Sequence, residues 1–181
     1  MELTLSAAGQ VNACPADRGF TLIELMIVLV IIGILAVLAG PGFREAALNT
    51  KLRAYSNEML SSMYLSRGEA IKRNTAVTLC ASSNGTDCAA SGDWEQGWIV
   101  QNAVGDVIYS HAQLGPGFKF VDVSGSGLRE IVFSPTGAAS AAVELKVCRG
   151  APDTGGQERV VSLAVTGRGR VDRTTDGTCP V

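Results

Sequence analysis

The stretch RGFTLIELMIVLVIIGILA, residues 18–36, governs how the rest of the chain is read. From Phe20 it continues as FTLIELMIVLVIIGILAVLAG, about twenty residues with Glu24 as the sole ionisable side chain, a length that crosses the hydrocarbon core of a bilayer as a helix. The preceding MELTLSAAGQVNACPADRG, residues 1–19, lacks an apolar core and carries Arg18 as its only positive charge. It is therefore not an ordinary secretory signal, whose apolar region precedes its cleavage site. A carboxylate such as Glu24, set inside an apolar helix, costs roughly a few kcal/mol unless it finds a partner or snorkels to water.

Downstream, Pro41 and Gly42 end the apolar run, yet the helical period continues. Leu48, Leu52, Tyr55, Met59 and Met63 form an apolar stripe on an otherwise polar helix, which predicts helix to about Lys72 and a rod about 80 Å long. From Thr75 the signals are those of strands: TAVTLC, WEQGWIV, VGDVIYS, FKFVDV, REIVFS, VELKVC and RVVSLAV, separated by glycine-rich turns. The expectation is an α+β fold in which an amphipathic helix forms one wall of the core of an antiparallel β domain. With 181 residues there is room for one such domain. We divide the chain into a leader (1–19), a membrane and assembly helix (20–42) and a globular domain (43–181).

A formal net charge of −2 gives no global attraction to nucleic acid or anionic lipid, so any such binding depends on local clustering. Mean hydropathy is +0.23, high for a chain whose later part is polar and glycine-rich, because the apolar weight sits in residues 20–40. Of the five cysteines, Cys14 lies in the leader segment and Cys80, Cys88, Cys148 and Cys179 lie beyond the apolar run. An even set there suits disulfides in an oxidising compartment, the alternative being four reduced core thiols. Neither C-x2-C spacing nor a nearby histidine points to zinc.

The quoted stretch resembles the prepilin signature of type IV pilins and type II secretion pseudopilins. Arg18 and Gly19 precede the cut, Phe20 follows it, Thr21 comes next, and Glu24 is the fifth residue of the mature chain. The resemblance implies the type IV pilin fold, and cleavage between Gly19 and Phe20 with N-methylation of Phe20, both by a membrane-embedded prepilin peptidase. It also implies inner-membrane insertion with the globular domain in the periplasm, and then a filament with other pilins, where Glu24 pairs with the Phe20 amino group of a neighbour. The leader is longer than is common among such proteins; an upstream start codon or a long leader each account for it.

The later sequence resembles the FimT/FimU and GspH group of minor pilins and pseudopilins. The carrying residues are Gly97 and Trp98 in WEQGWIV, then VIYS, IVFSPTGAAS and the closing VTGRGRV. Trp98 also reads simply as a core aromatic that packs helix against sheet. Gly167, Arg168, Gly169 and Arg170 match the GRxR motif that FimT-type pilins carry near the C-terminus, which implies DNA capture for natural transformation. Physically, guanidinium groups pair bidentately with phosphate. Arg173 follows closely, Arg149 and Arg159 flank the preceding strand pair, and together they suggest a small basic patch at one end of the domain. The bland alternative is a solvated glycine-arginine turn whose charge Asp172 and Asp176 dilute.

Cys80 and Cys88 bracket ASSNGTD, a short hairpin-like loop able to bring them within bonding distance. Of three connectivities we expect Cys80–Cys88 and Cys148–Cys179, the latter pinning the arginine-bearing tail to the sheet. His111 is the single histidine, and no Gly-x-Ser-x-Gly, HExxH or Walker A pattern occurs. We assign no catalytic residue, no metal and no cofactor. Three functions remain open: a FimT-like pilin that binds DNA, a FimU-like or GspH-like subunit that primes filament assembly through protein contacts alone, and a membrane-anchored periplasmic domain that never polymerises.

Overall fold

The computed structural model describes residues 19–125, 127–151 and 156–179; the side chains at 39–41 and 44 fall outside that description. Apart from Gly19, the leader expected over residues 1–19 lies outside the described residues. One helix, α1, runs Leu22–Arg73. The chain divides into two compact units, Met1–Pro41 and Gly42–Val181.

In the first unit, α1 opens on a reciprocal cap. The Thr21 N–H donates to Glu24 Oε2 at 2.8 Å, the Thr21 hydroxyl donates to the same oxygen at 2.8 Å, and the Glu24 N–H donates back to Thr21 Oγ1 at 3.3 Å. This is a capping box, Thr-x-x-Glu, satisfying two donors that a helix start leaves open. The side chains that follow, through Leu38, are uniformly apolar and exposed. Among the described residues no helix is long and apolar enough to cross a membrane. The span expected over residues 20–42 runs partly through the undescribed side chains at 39–41.

In the second unit, α1 buries Leu48, Leu52, Met59, Met63 and Ala70 against two four-stranded antiparallel sheets, and Tyr55 packs at the margin. Each buried Leu or Met contributes on the order of 1.5–3 kcal/mol, which holds the helix far better than propensity could. The first sheet has the order β3-β2-β1-β5, from β1 (Val77–Ala81), β2 (Trp98–Asn102), β3 (Val107–His111) and β5 (Glu130–Phe133). The second has the order β4-β6-β7-β8, from β4 (Phe118–Asp122), β6 (Val143–Arg149), β7 (Glu158–Leu163) and β8 (Gly169–Thr174). Both sheets face one shared core. Trp98 is fully buried there and donates its indole N–H to Ser62 Oγ on α1 at 2.9 Å.

Two local expectations change. WEQGWIV is not one strand, because Trp94–Gln96 form a 3-10 turn and Gly97, at φ +110°, breaks the extended backbone before β2 starts at Trp98. The segment after RVVSLAV is not merely a turn, since Gly169–Thr174 forms the edge strand β8, paired along its whole length with β7. The disulfides are Cys80–Cys88 and Cys148–Cys179. The second secures the chain after β8, rather than the arginines themselves, on the outer side of the second sheet. There Lys146 and Glu158 are buried as a pair 3.6 Å apart, and Asp176 of the strap approaches Lys146 at 3.7 Å.

Candidate nucleic-acid interface

The turn from β7 to β8 closes with the Gly167 N–H donating to Ala164 O at 2.8 Å and the Ala164 N–H donating to Arg168 O at 2.9 Å. Gly167 holds φ +77°, and a Cβ there would stand 2.3 Å from the Gly137 carbonyl oxygen. A Cβ on Gly169 would meet Leu60 Cδ1 at 2.4 Å. Helix α1 fixes both glycines from behind. Arg67 Nη1 donates to Gly167 O at 3.1 Å, and the Tyr64 hydroxyl donates to Gly169 O at 2.7 Å. The glycines of the motif therefore have a packing explanation: one needs the left-handed backbone, and the other lets the strand lie close on the helix.

The arginines of the motif have no such packing role. Arg168 and Arg170 are exposed and line one groove of about 630 Å³ together with Ser124, Glu144 and Ser162. Arg170 Nε meets Asp172 Oδ2 at 2.8 Å, with both side chains at least half exposed. A surface pair of this kind is worth about 0–1 kcal/mol and yields readily to a competing anion.

The other expected arginines lie elsewhere, so the single basic patch at one end of the domain is not what the fold builds. Antiparallel partners share a face, and Arg173 pairs in register with Arg159, whose neighbours Val161 and Leu163 point into the core. Arg173 thus leaves β8 on the helix side, opposite Arg170. Arg159 donates from Nη2 to Asn49 Oδ1 on α1 at 2.7 Å. Burial first, then the charges of Arg53 and Arg173, hold the Arg159 guanidinium below its ordinary pKa. Arg149 sits at the far end of β6, six positions from Val143, which pairs beside the turn; that is about 20 Å away along the strand.

Sequence reading missed Tyr64 and Arg67, although with Leu60 and Ile71 they form an i, i+4, i+7, i+11 row on one side of α1. Among the described residues, no group of three His, Cys, Asp or Glu side chains is placed to hold a metal.

Residues 56–167 match the family profile described as type II transport protein GspH. The chain belongs to the GspH family. It is a type IV pilin-like protein of the minor pilin and pseudopilin group, and residues 14–40 match the prokaryotic N-terminal methylation motif. The crystal structure of the type IV minor pilin FimU of Pseudomonas aeruginosa aligns at a TM-score of 0.54 with 18% identity, covering 68% of this chain and 90% of that one, a likeness of fold. A fimbrial protein of Neisseria meningitidis is 32% identical over 94 residues, 49% of this chain and 52% of that protein. The type IV major pilin protein PilE of Neisseria gonorrhoeae is 36% identical over 74 residues, 38% of this chain and 44% of that one. The chain spans about half the length of the curated relatives it matches. The GspH-family match ends at Gly167, so Arg168 and Arg170 lie just beyond the part of the chain that establishes the family.

Proposed function

We propose that the chain is a minor type IV pilin that binds nucleic acid weakly and without sequence preference through Arg168 and Arg170, for DNA uptake in natural transformation. The observation that carries this reading is the division of labour within residues 167–170. Both glycines are locked by α1, while both arginines project into one exposed groove. So few phosphate contacts give weak, strongly salt-dependent binding, and a fibre that repeats or retracts multiplies weak contacts.

The same proposal includes removal of residues 1–19 by a prepilin peptidase, N-methylation of Phe20, and anchoring of residues 20–42 in the inner membrane with the domain 43–181 in the periplasm. Incorporation into a pilus at the cell surface beside other pilins follows. The apolar run from Phe20 and the methylation motif support these steps.

The test is fluorescence anisotropy of a labelled oligonucleotide with residues 42–181, a unit that contains its own core and both disulfides. Arg168→Gln with Arg170→Gln should lower the slope of log affinity against log salt by about 1.8 for duplex DNA, about 0.9 for each phosphate no longer neutralised. Binding that ignores both substitutions, or ignores salt, removes the motif from the function.

A second reading is favoured by Glu144 on the groove wall and by the Asp172 partner of Arg170, which reduce the local positive charge. It makes the chain a FimU-like pilin, or a GspH-like pseudopilin of type II secretion, that primes filament assembly. On this reading deletion abolishes piliation or secretion while the isolated domain does not bind DNA.

A further inference from the structure

On the helix side of β7 and β8, three guanidinium groups come together without an acid. Arg159 and Arg173 are direct cross-strand partners on one face, a like-charge pairing that antiparallel sheets ordinarily avoid. Arg53 follows Asn49 by four residues on α1, so it stands one turn along from the asparagine that receives Arg159 Nη2. Among the described residues none of the three forms an ion pair, and neither does Glu45, one turn before Asn49. Arg159 Nε is buried with no hydrogen-bond partner. A buried donor left open beside two unpaired cations disfavours the protein alone and favours an oxyanion that can accept from all three.

We infer that Arg53, Arg159 and Arg173 form a phosphate-binding site that takes one phosphodiester of a nucleic-acid strand lying along the edge of β8. The site is separate from the Arg168 and Arg170 groove, and it rests on the proposed function only for the identity of the polymer. Strand β8 is the outermost strand of its sheet, with Arg170 on one face and Arg173 on the other. From Arg168 to Arg173 is about 17 Å of extended chain, the axial rise of about five phosphates on one strand of a duplex. A regularly charged polymer following that edge reaches both sites, whereas a single small anion fills one.

The experiment uses the full chain in nonionic detergent. Arg53 and Arg173 are exposed, so Arg53→Gln with Arg173→Gln leaves the fold intact while removing two of the three donor groups. The expected result is a salt slope for oligonucleotide binding lower by about 0.9 with duplex and about 0.7 with single-stranded DNA. In the unaltered chain, inorganic pyrophosphate should shift the Arg159 Nε–H resonance.

An unchanged slope and an unmoved resonance, with Arg168→Gln and Arg170→Gln still weakening binding, overturn this site and leave the groove reading standing. No oligonucleotide binding by the unaltered chain together with an unmoved resonance overturns both. A resonance that moves with poly-glutamate but with neither pyrophosphate nor oligonucleotide overturns the phosphate assignment in favour of an acidic protein partner.

Discussion

Replacing Gly167 with alanine tests whether the first glycine of the 167–170 motif belongs to the fold or to the function. For an L-residue the left-handed region occupied at φ +77° costs about 1–2 kcal/mol. The added Cβ would also lie 2.3 Å from the Gly137 carbonyl oxygen. That obstacle is backbone, so no rotamer change relieves it, and overpacking of this kind costs about 1–3 kcal/mol more. The sum, about 2–5 kcal/mol, is a large share of a domain stability on the order of 5–15 kcal/mol. For a domain of this size it lowers Tm by about 4–20 °C. Gly177→Ala is the control, because Gly177 holds φ +68° with nothing within 4 Å of a built Cβ. It should lose only the conformational part, about 1–2 kcal/mol. Arg168→Gln, at an exposed neighbour, should stay within about 0.5 kcal/mol of the parent. Urea unfolding of residues 42–181, followed by far-ultraviolet circular dichroism with disulfides intact, reads all three. Equal losses for Gly167→Ala and Gly177→Ala would refute the claim that close packing on Gly137 is what demands glycine.

Removing Cys148–Cys179, which spans 31 residues, should destabilise the domain by about 3.7 kcal/mol from loop entropy, against about 2.5 kcal/mol for Cys80–Cys88, which spans 8. Paired serine substitutions followed by chemical denaturation check the order, which the reverse ranking contradicts. Hydrogen bonds from Arg73 first, then Lys72, hold the Glu69 carboxyl below its ordinary pKa. Because the folded value is depressed, the associated stability is present above the unfolded pKa and fades as pH falls through the folded one. Carboxyl-carbon NMR should show the Glu69 midpoint rising in Arg73→Gln, and an unmoved midpoint rules out the assigned cause. Glu24→Gln keeps an acceptor for the Thr21 cap but removes the charge, whereas Glu24→Ala removes both. A peptide of residues 20–42 in micelles should keep its first helical turn with Gln and fray with Ala, and equal fraying disproves the cap.

The helix and its buried stripe were legible because a 3.6-residue period leaves a strong imprint, and Leu48, Leu52, Met59 and Met63 are all buried where that period puts them. Seven strand segments carried enough β-branched and aromatic residues to be seen. Strand β8 did not. Its sequence GRVDRT touches the helix side chiefly through Gly169 and Val171 and turns charge to solvent, so it lacks the alternating apolar signal, and only pairing with β7 makes it a strand. In WEQGWIV the β-like composition misled, since Gly97 approaches His111 O too closely for any side chain and ends the extended run. The arginine cluster was illegible for another reason. Asn49 and Arg159 are 110 residues apart, and nothing in either local stretch announces the other.

Glu24 shows how a structure can change the physical question a sequence poses. Read alone, a carboxylate in an apolar helix calls for a partner from another chain. The capping box supplies one from three residues away. Thr21 donates twice to Oε2, and the negative charge sits at the positive end of the helix dipole. Cleavage after Gly19 leaves this intact, because the Thr21 N–H belongs to the peptide bond with Phe20. Yet both Thr21 bonds end on the same oxygen, and a carboxylate offers about four acceptor sites. Oε1 receives no hydrogen bond among the described residues, so capping and pairing with a neighbour's Phe20 amino group do not compete. Under the proposed assembly, a lone subunit tolerates its acid in lipid through Oε2, and the partner it meets in a filament adds to that arrangement without having to break it.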